Sequence, residues 1–132
     1  MFAQIVERML KGSYSDLDFT PPQGARDAAR RGLELRREHG RGGLSTKQAK
    51  TQGIGSGVQR AVNLANGDTM SPRTVRRMAS FFARHRVYKE RGYHEDKTSA
   101  AYISWLLWGG DAGDAWARKL VAQMNARDKG DA

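Results

Sequence analysis

Residues 71–85 read Ser-Pro-Arg-Thr-Val-Arg-Arg-Met-Ala-Ser-Phe-Phe-Ala-Arg-His, and this stretch decides the fold class. The Ser71 hydroxyl suits a helix N-cap, and Pro72 suits the first helical position, where its missing N–H is unpaired in any case. Val75, Met78, Ala79 and Phe82 recur at i, i+3, i+4 and i+7, the stripe of an amphipathic helix. Arg73, Arg76, Arg77, Ser80 and Arg84 cluster on the opposite face. The segment is expected to bury one side and to present cations on the other.

The same reading extends in both directions. Upstream, Val58, Ala61, Val62 and Ala65 share one face of a short helix over 58–65, and Asn66-Gly67 stops it. Further upstream, Thr20 is expected to cap a helix with proline in its first turn, running to about Glu38 and ended by Gly40-Arg41-Gly42-Gly43. Its apolar face is made of small residues, Ala25, Ala28, Ala29 and Gly32, which let another helix approach closely. Downstream, residues 86–98 read as a polar loop. Thr98 or Ser99 then caps an apolar helix over 100–108, Gly109-Gly110 breaks it, and Asp111 caps a final helix with Trp116, Leu120, Val121 and Met124 on its inner stripe. The expected fold is all-α: a compact bundle of about five to six short helices with a helix-turn-helix-like pair. The domain plan is an N-terminal amphipathic helix and polar linker (1–18), a helical domain (19–125) and a frayed tail (126–132).

Composition narrows the functional classes. The chain has 132 residues, a single-domain length, and a net charge of +9. The charge is localised: residues 24–91 hold sixteen Lys+Arg against five Asp+Glu, and thirteen of the sixteen are arginine. A localised basic field attracts polyanions, and arginine binds phosphate with a planar fork of donors. Basicity for solubility alone is the competing reading. The absence of cysteine excludes disulfides, thiolate metal sites and cysteine nucleophiles. His39, His85 and His94 are scattered, so neither a metal site nor a catalytic constellation is visible, and a non-enzymatic protein without cofactor is expected. The start of the chain does not read as a secretory signal, and the longest apolar run is too short to cross a bilayer, so no membrane role is expected.

Three stretches carry functional expectations. If helix 71–85 is the second helix of a helix-turn-helix, its first residues, Arg73, Thr74, Arg76 and Arg77, meet base edges in the major groove of duplex DNA. Arg84, Arg30, Arg31, Arg37, Lys47 and Lys50 extend the basic surface toward phosphates. A solvated arginine face on an ordinary bundle helix explains the same pattern. Gly53-Ile54-Gly55-Ser56-Gly57 precedes a helix and offers backbone N–H groups to a phosphate, but no strand leads into it, so the dinucleotide fingerprint is not met. Phe2, Ile5, Val6, Met9 and Leu10 form an amphipathic stripe, which either docks on the chain's own core or meets a partner. Phe81, Phe82, Tyr102, Trp105, Trp108 and Trp116 are expected in the core rather than as base-stacking groups.

Three blocks also carry a resemblance: Phe19-Thr20-Pro21-Pro22 with Arg26, Ala29 and Gly32-Leu33; Ser71 to Met78 with Phe81-Phe82-Ala83-Arg84-His85; and Ser99 to Asp111 with Gly113 and Trp116-Ala117. Together they resemble a small domain of tailed-phage and prophage proteins, over about residues 19–118. The resemblance implies a phage context, in the host cytoplasm or the virion, and no particular activity. Two functions follow as expectations. One is a DNA-binding accessory protein; the other is a virion structural or interaction protein docked on capsid or host protein by the N-terminal helix.

Overall fold

The computed structural model describes residues 14–42 and 57–130, and these form five helices with no strand among them. In chain order they are α1 (Gln23–His39), α2 (Gly57–Ala65), α3 (Pro72–Glu90), α4 (Ala100–Leu107) and α5 (Gly110–Gly130). The eight-residue α4 is apolar nearly all round and packs against each of the other four. An all-round apolar helix is stable in water only when enclosed, and the longer helices supply the enclosure. Ile103, Trp105 and Leu107 are buried from it; Phe82 and Met78 of α3, Leu64 of α2 and Met124 of α5 complete the core.

The small-residue stripe of α1 does what its composition implies. A Cβ on Gly32 would lie 2.8 Å from the Leu107 amide nitrogen, so α1 touches the α4 backbone itself. Ala25 and Ala28 face the α4–α5 junction, where Gly109 turns the chain at φ +116°, a conformation that strains any residue with a Cβ.

Local expectations and structure agree at the N-termini of α3 and α4. Ser71 accepts from Thr74 N at 3.1 Å with Pro72 next to it, and Ser99 accepts from Tyr102 N at 3.1 Å. Other expectations are corrected. Helix α1 starts after both prolines, with Pro22 at its N-cap in extended geometry and no side-chain cap; the Thr20 amide instead donates to Asp18. Residues 86–90 are not loop but the last turn of α3. Their polar side chains are paired across to α5, Arg86 with Asp114 at 2.9 Å and Lys89 with Asp111 at 2.7 Å. Helix α5 begins at Gly110, so Asp111 sits in its first turn rather than at its cap.

Helix α5 continues past Asn125 as far as Gly130. Arg127 is paired with Asp16, and Asp128 accepts from the Tyr14 hydroxyl at 2.6 Å. The segment read as polar linker also contributes packing, since Tyr14, Leu17 and Phe19 lie against the core. Helix α2 is rotated from its expected face: Ala61 and Leu64 are buried, and Val62 is exposed. Of the tryptophans only Trp105 is buried; Trp108 and Trp116 are half-buried.

Two substitutions test this packing. Phe82→Ala empties the centre of the core and should cost about 3–5 kcal/mol in chemical denaturation. Gly32→Ala should also destabilise, although alanine is the better helix former by about 1 kcal/mol, because its Cβ meets the α4 backbone. A raised unfolding midpoint for Gly32→Ala would mean that α1 and α4 do not touch there.

Candidate nucleic-acid interface

The helix–turn–helix order of α2 and α3 is present, joined by a six-residue connection (66–71). Its two helices lean on different neighbours, however. Helix α2 packs on α1 and α4, and α3 packs on α5 and α4, while the backbones of α2 and α3 do not come close to one another. The pair is thus held through shared neighbours rather than by a close approach of its two backbones.

The structure sorts the basic residues by what already holds them. Arg76 is drawn to the α5 end, donating to Asn125 Oδ1 at 3.0 Å and to Asp128 at 3.3 Å. Thr74 is engaged with its own cap, as the acceptor of a hydrogen bond from the Ser71 hydroxyl at 2.9 Å. Arg30 reaches Asp27 and the Ala65 carbonyl, both at 3.3 Å, so it caps the C-terminus of α2, where cations are favoured. Arg31 is paired with Glu34 at 3.1 Å on the same helix. Arg73, Arg77, Arg84 and Arg37 are exposed, and no acidic partner meets them among the described residues.

Arg73, Arg77 and Arg84 follow one another at i, i+4 and i+11, which puts them along one edge of α3. Lys47, Lys50 and the docking stripe of Phe2, Ile5, Val6 and Met9 lie outside the described residues, as does most of the glycine loop.

Sequence reasoning missed Arg60, which faces this edge from α2. Its Nη1 is buried without a hydrogen-bond partner, and its guanidinium lies over the Trp108 ring, 5.3 Å from the centroid. Burial first, and the charge of Arg77 second, pull its pKa below the usual arginine value. The two like charges thus act on one another, and neither has an acidic partner among the described residues. Residues 43–56, whose sequence holds two lysines and no acid, contribute no negative charge either.

From Trp108 a series of rings continues along α3. Trp108 stacks on Phe81 at 4.5 Å and 8°, and Phe81 stacks on His85 at 4.2 Å and 22°. His85 meets Tyr88 edge-on at 5.3 Å, and Tyr88 meets Tyr93 at 5.7 Å. The inner rings belong to the core, as expected of Phe81; Tyr88 and Tyr93 do not, at 38% and 51% exposure. The signal for this series was present in the i, i+4, i+7 spacing of Phe81, His85 and Tyr88.

On the other side of the loop His94 is buried against Trp105 and Tyr102. Asp111 closes that side, accepting from Trp105 Nε1 at 2.8 Å and from Lys89 at 2.7 Å. The Lys89 bond holds its carboxyl below the usual carboxylate value. No group of three or more metal-ligating side chains forms among the described residues, and no described helix is long and apolar enough to cross a membrane.

No family model, curated protein or solved structure matches the chain.

Both inner histidines carry a pH signature. Burial, and then neighbouring cations, push His85 and His94 below the ordinary histidine value of 6.5. The unfolded chain therefore takes up protons first as the solution is acidified. Stability present above about pH 6.5 should fall through the range down to the folded-state values. The carboxylates held low, Asp16, Asp96 and Asp111, add their own loss only below about 3.8. Denaturant midpoints measured from pH 7 to pH 5 should decline, and His94→Phe should flatten the decline. A flat profile for the unmodified protein would show that the histidines are solvated.

Proposed function

We propose that this chain is a DNA-binding accessory protein that holds phosphates along the outer edge of α3, through Arg73, Arg77 and Arg84 with Arg60 behind them. The observation that carries the reading is Arg60: a partly buried guanidinium with an unpartnered Nη1, its pKa lowered by burial and then by the charge of Arg77, with no acidic partner for either among the described residues. A phosphate oxygen is the acceptor this arrangement lacks, and charge-assisted bonds to arginine are the stronger class of hydrogen bond. The role is binding rather than catalysis. The phage context suggested by the three sequence blocks is the setting we assign to it.

The internal engagement of Arg76 and Thr74 argues for phosphate contact over base reading. Of the four side chains at the start of α3, two are already committed to the fold. Contacts to phosphate position a protein without conferring sequence discrimination. The expected behaviour is binding of DNA with little preference for sequence.

The test is the salt dependence of affinity for a duplex of arbitrary sequence. Log affinity should fall linearly with log salt, at about −0.9 per phosphate neutralised. Replacing Arg73, Arg77 and Arg84 together by alanine should make the slope shallower by roughly that amount for each phosphate left without its arginine. Arg31→Ala, on a residue already paired with Glu34, should leave the slope unchanged. A slope near zero in the unmodified protein, or an unaltered slope in the triple variant, overturns the reading.

A further inference from the structure

We propose that the open end of the ring series is a stacking site for an unpaired nucleobase, so that the protein prefers single-stranded DNA to duplex. The inference rests on the phosphate-binding role proposed for α3 and adds to it the form of the nucleic acid.

The site is a groove of about 330 Å³ between the C-terminal half of α3 and the start of α4. His85, Tyr88 and Tyr93 form one wall, and Ala100, Ala101 and Ser104 form the other. The alanines make the space: side chains of this size on α4 leave a slot that larger ones would close. Its lining is largely apolar and holds no carboxylate. The three rings on its wall continue the series that begins at Arg60 and Trp108, and Tyr88 and Tyr93 are the members of that series exposed to solvent. Exposed tyrosines gain from covering their faces, and a planar ring covers a face best.

Charge selects among planar ligands. Burial first, and then the charge of neighbouring Arg84, lower the pKa of His85, so the wall carries a ring that resists protonation beside a fixed cation. Arg77 lies two turns back along the same edge. A nucleotide joins one planar ring to one anion in each repeat, and the protein places rings beside arginines along one helix in the same way. Proteins that bind single strands combine these two elements, a basic track and aromatic platforms. A duplex offers the phosphates but keeps its base faces stacked, so it can use the arginines and not the groove.

The experiment compares a fluorescently labelled oligothymidylate with a duplex of equal length in one low-salt buffer. The unmodified protein should bind the single strand more tightly. Tyr93→Ala and Tyr88→Ala, both at exposed positions that leave the core intact, should each weaken single-strand binding roughly tenfold and leave duplex binding unchanged. Tyr93→Phe should retain affinity, because it keeps the ring. Tyr93→Leu should lose it, because an apolar side chain without a flat face cannot stack. A strand of abasic sites should bind no better than duplex.

The groove is overturned if duplex and single strand bind alike, or if the tyrosine variants bind the single strand as the unmodified protein does. It is also overturned if Tyr93→Leu retains full affinity, since the groove would then be a generic apolar surface. If salt-dependent duplex binding persists in any of these cases, the phosphate reading stands without the groove; if neither DNA binds at low salt, both fall.

Discussion

The structure depends on the burial of one short helix. Residues 100–107 have apolar side chains on nearly every face, and α4 cannot be soluble on its own. Enclosing eight residues on all sides requires backbones to come close, and that requirement reaches into α1. Gly32 lets the two backbones touch, and Gly42 lies against Ile103 just past the end of the helix. A chain that met α4 with leucines here would stand farther off and leave Leu106 and Leu107 partly wet. The core is therefore built by small residues on α1 as much as by large ones on α3.

A second constraint follows at the other side of α4. Asp114 is buried at the start of α5, and a buried carboxylate is tolerated only when cations meet it. Arg86 supplies two hydrogen bonds, at 2.9 and 3.1 Å, and Arg118 approaches at 3.3 Å. Lys89 and Trp105 Nε1 satisfy Asp111 one turn earlier. These pairs hold the last turn of α3 against α5, and without them α3 would have little reason to continue past His85. That last turn carries Tyr88 and leads directly to Tyr93. The ion pairs that fasten α3 to α5 are thus also what extends the ring series into solvent.

This explains what the sequence could and could not disclose. The cap at Ser71-Pro72, the stripe of Val75, Met78 and Phe82, and the breaking glycines are local signals, and the structure follows them. The length of α3 was not legible, because Arg86 and Lys89 find their partners 28 and 22 residues away. The buried face of α2 was not legible either. The helix has nine residues with apolar side chains on two sides, and only the position of α1 decides that Leu64 is covered and Val62 is not. The arginines of α1 and α3 read as one basic surface because their partners are distributed along the chain: the Ala65 carbonyl for Arg30, Asn125 and Asp128 for Arg76. Arg60 gave no pattern at all, since its significance comes from Trp108 and Arg77, which lie far from it in the chain.

The partition of the arginines bears on whether α3 presents the phosphate-binding face we propose or a solvated one. A face kept charged for solubility intersperses the two signs, and much of this protein does so: Arg31 with Glu34, Arg30 with Asp27, Arg127 with Asp16. Helix α3 does so only in part: Arg76, Arg86 and Lys89 meet acids of α5, whereas Arg73, Arg77 and Arg84 do not. Its only acidic residue is Glu90, at the far end from Arg73 and Arg77. Repulsion between exposed arginines is weak in salt water, because charges on the surface are screened over about a Debye length of 8–10 Å. Arg60 differs from those exposed arginines, because its Nη1 is buried and meets no hydrogen-bond acceptor among the described residues, as is also true of Arg26 Nε. An anion settling between Arg60 and Arg77 would supply that acceptor and cancel the repulsion in one step. The fold carries a small local penalty in the free state at the place where a phosphate would remove it. If α3 holds phosphates as proposed, relief of that penalty would add to their binding, whereas a merely solvated face would gain nothing from it.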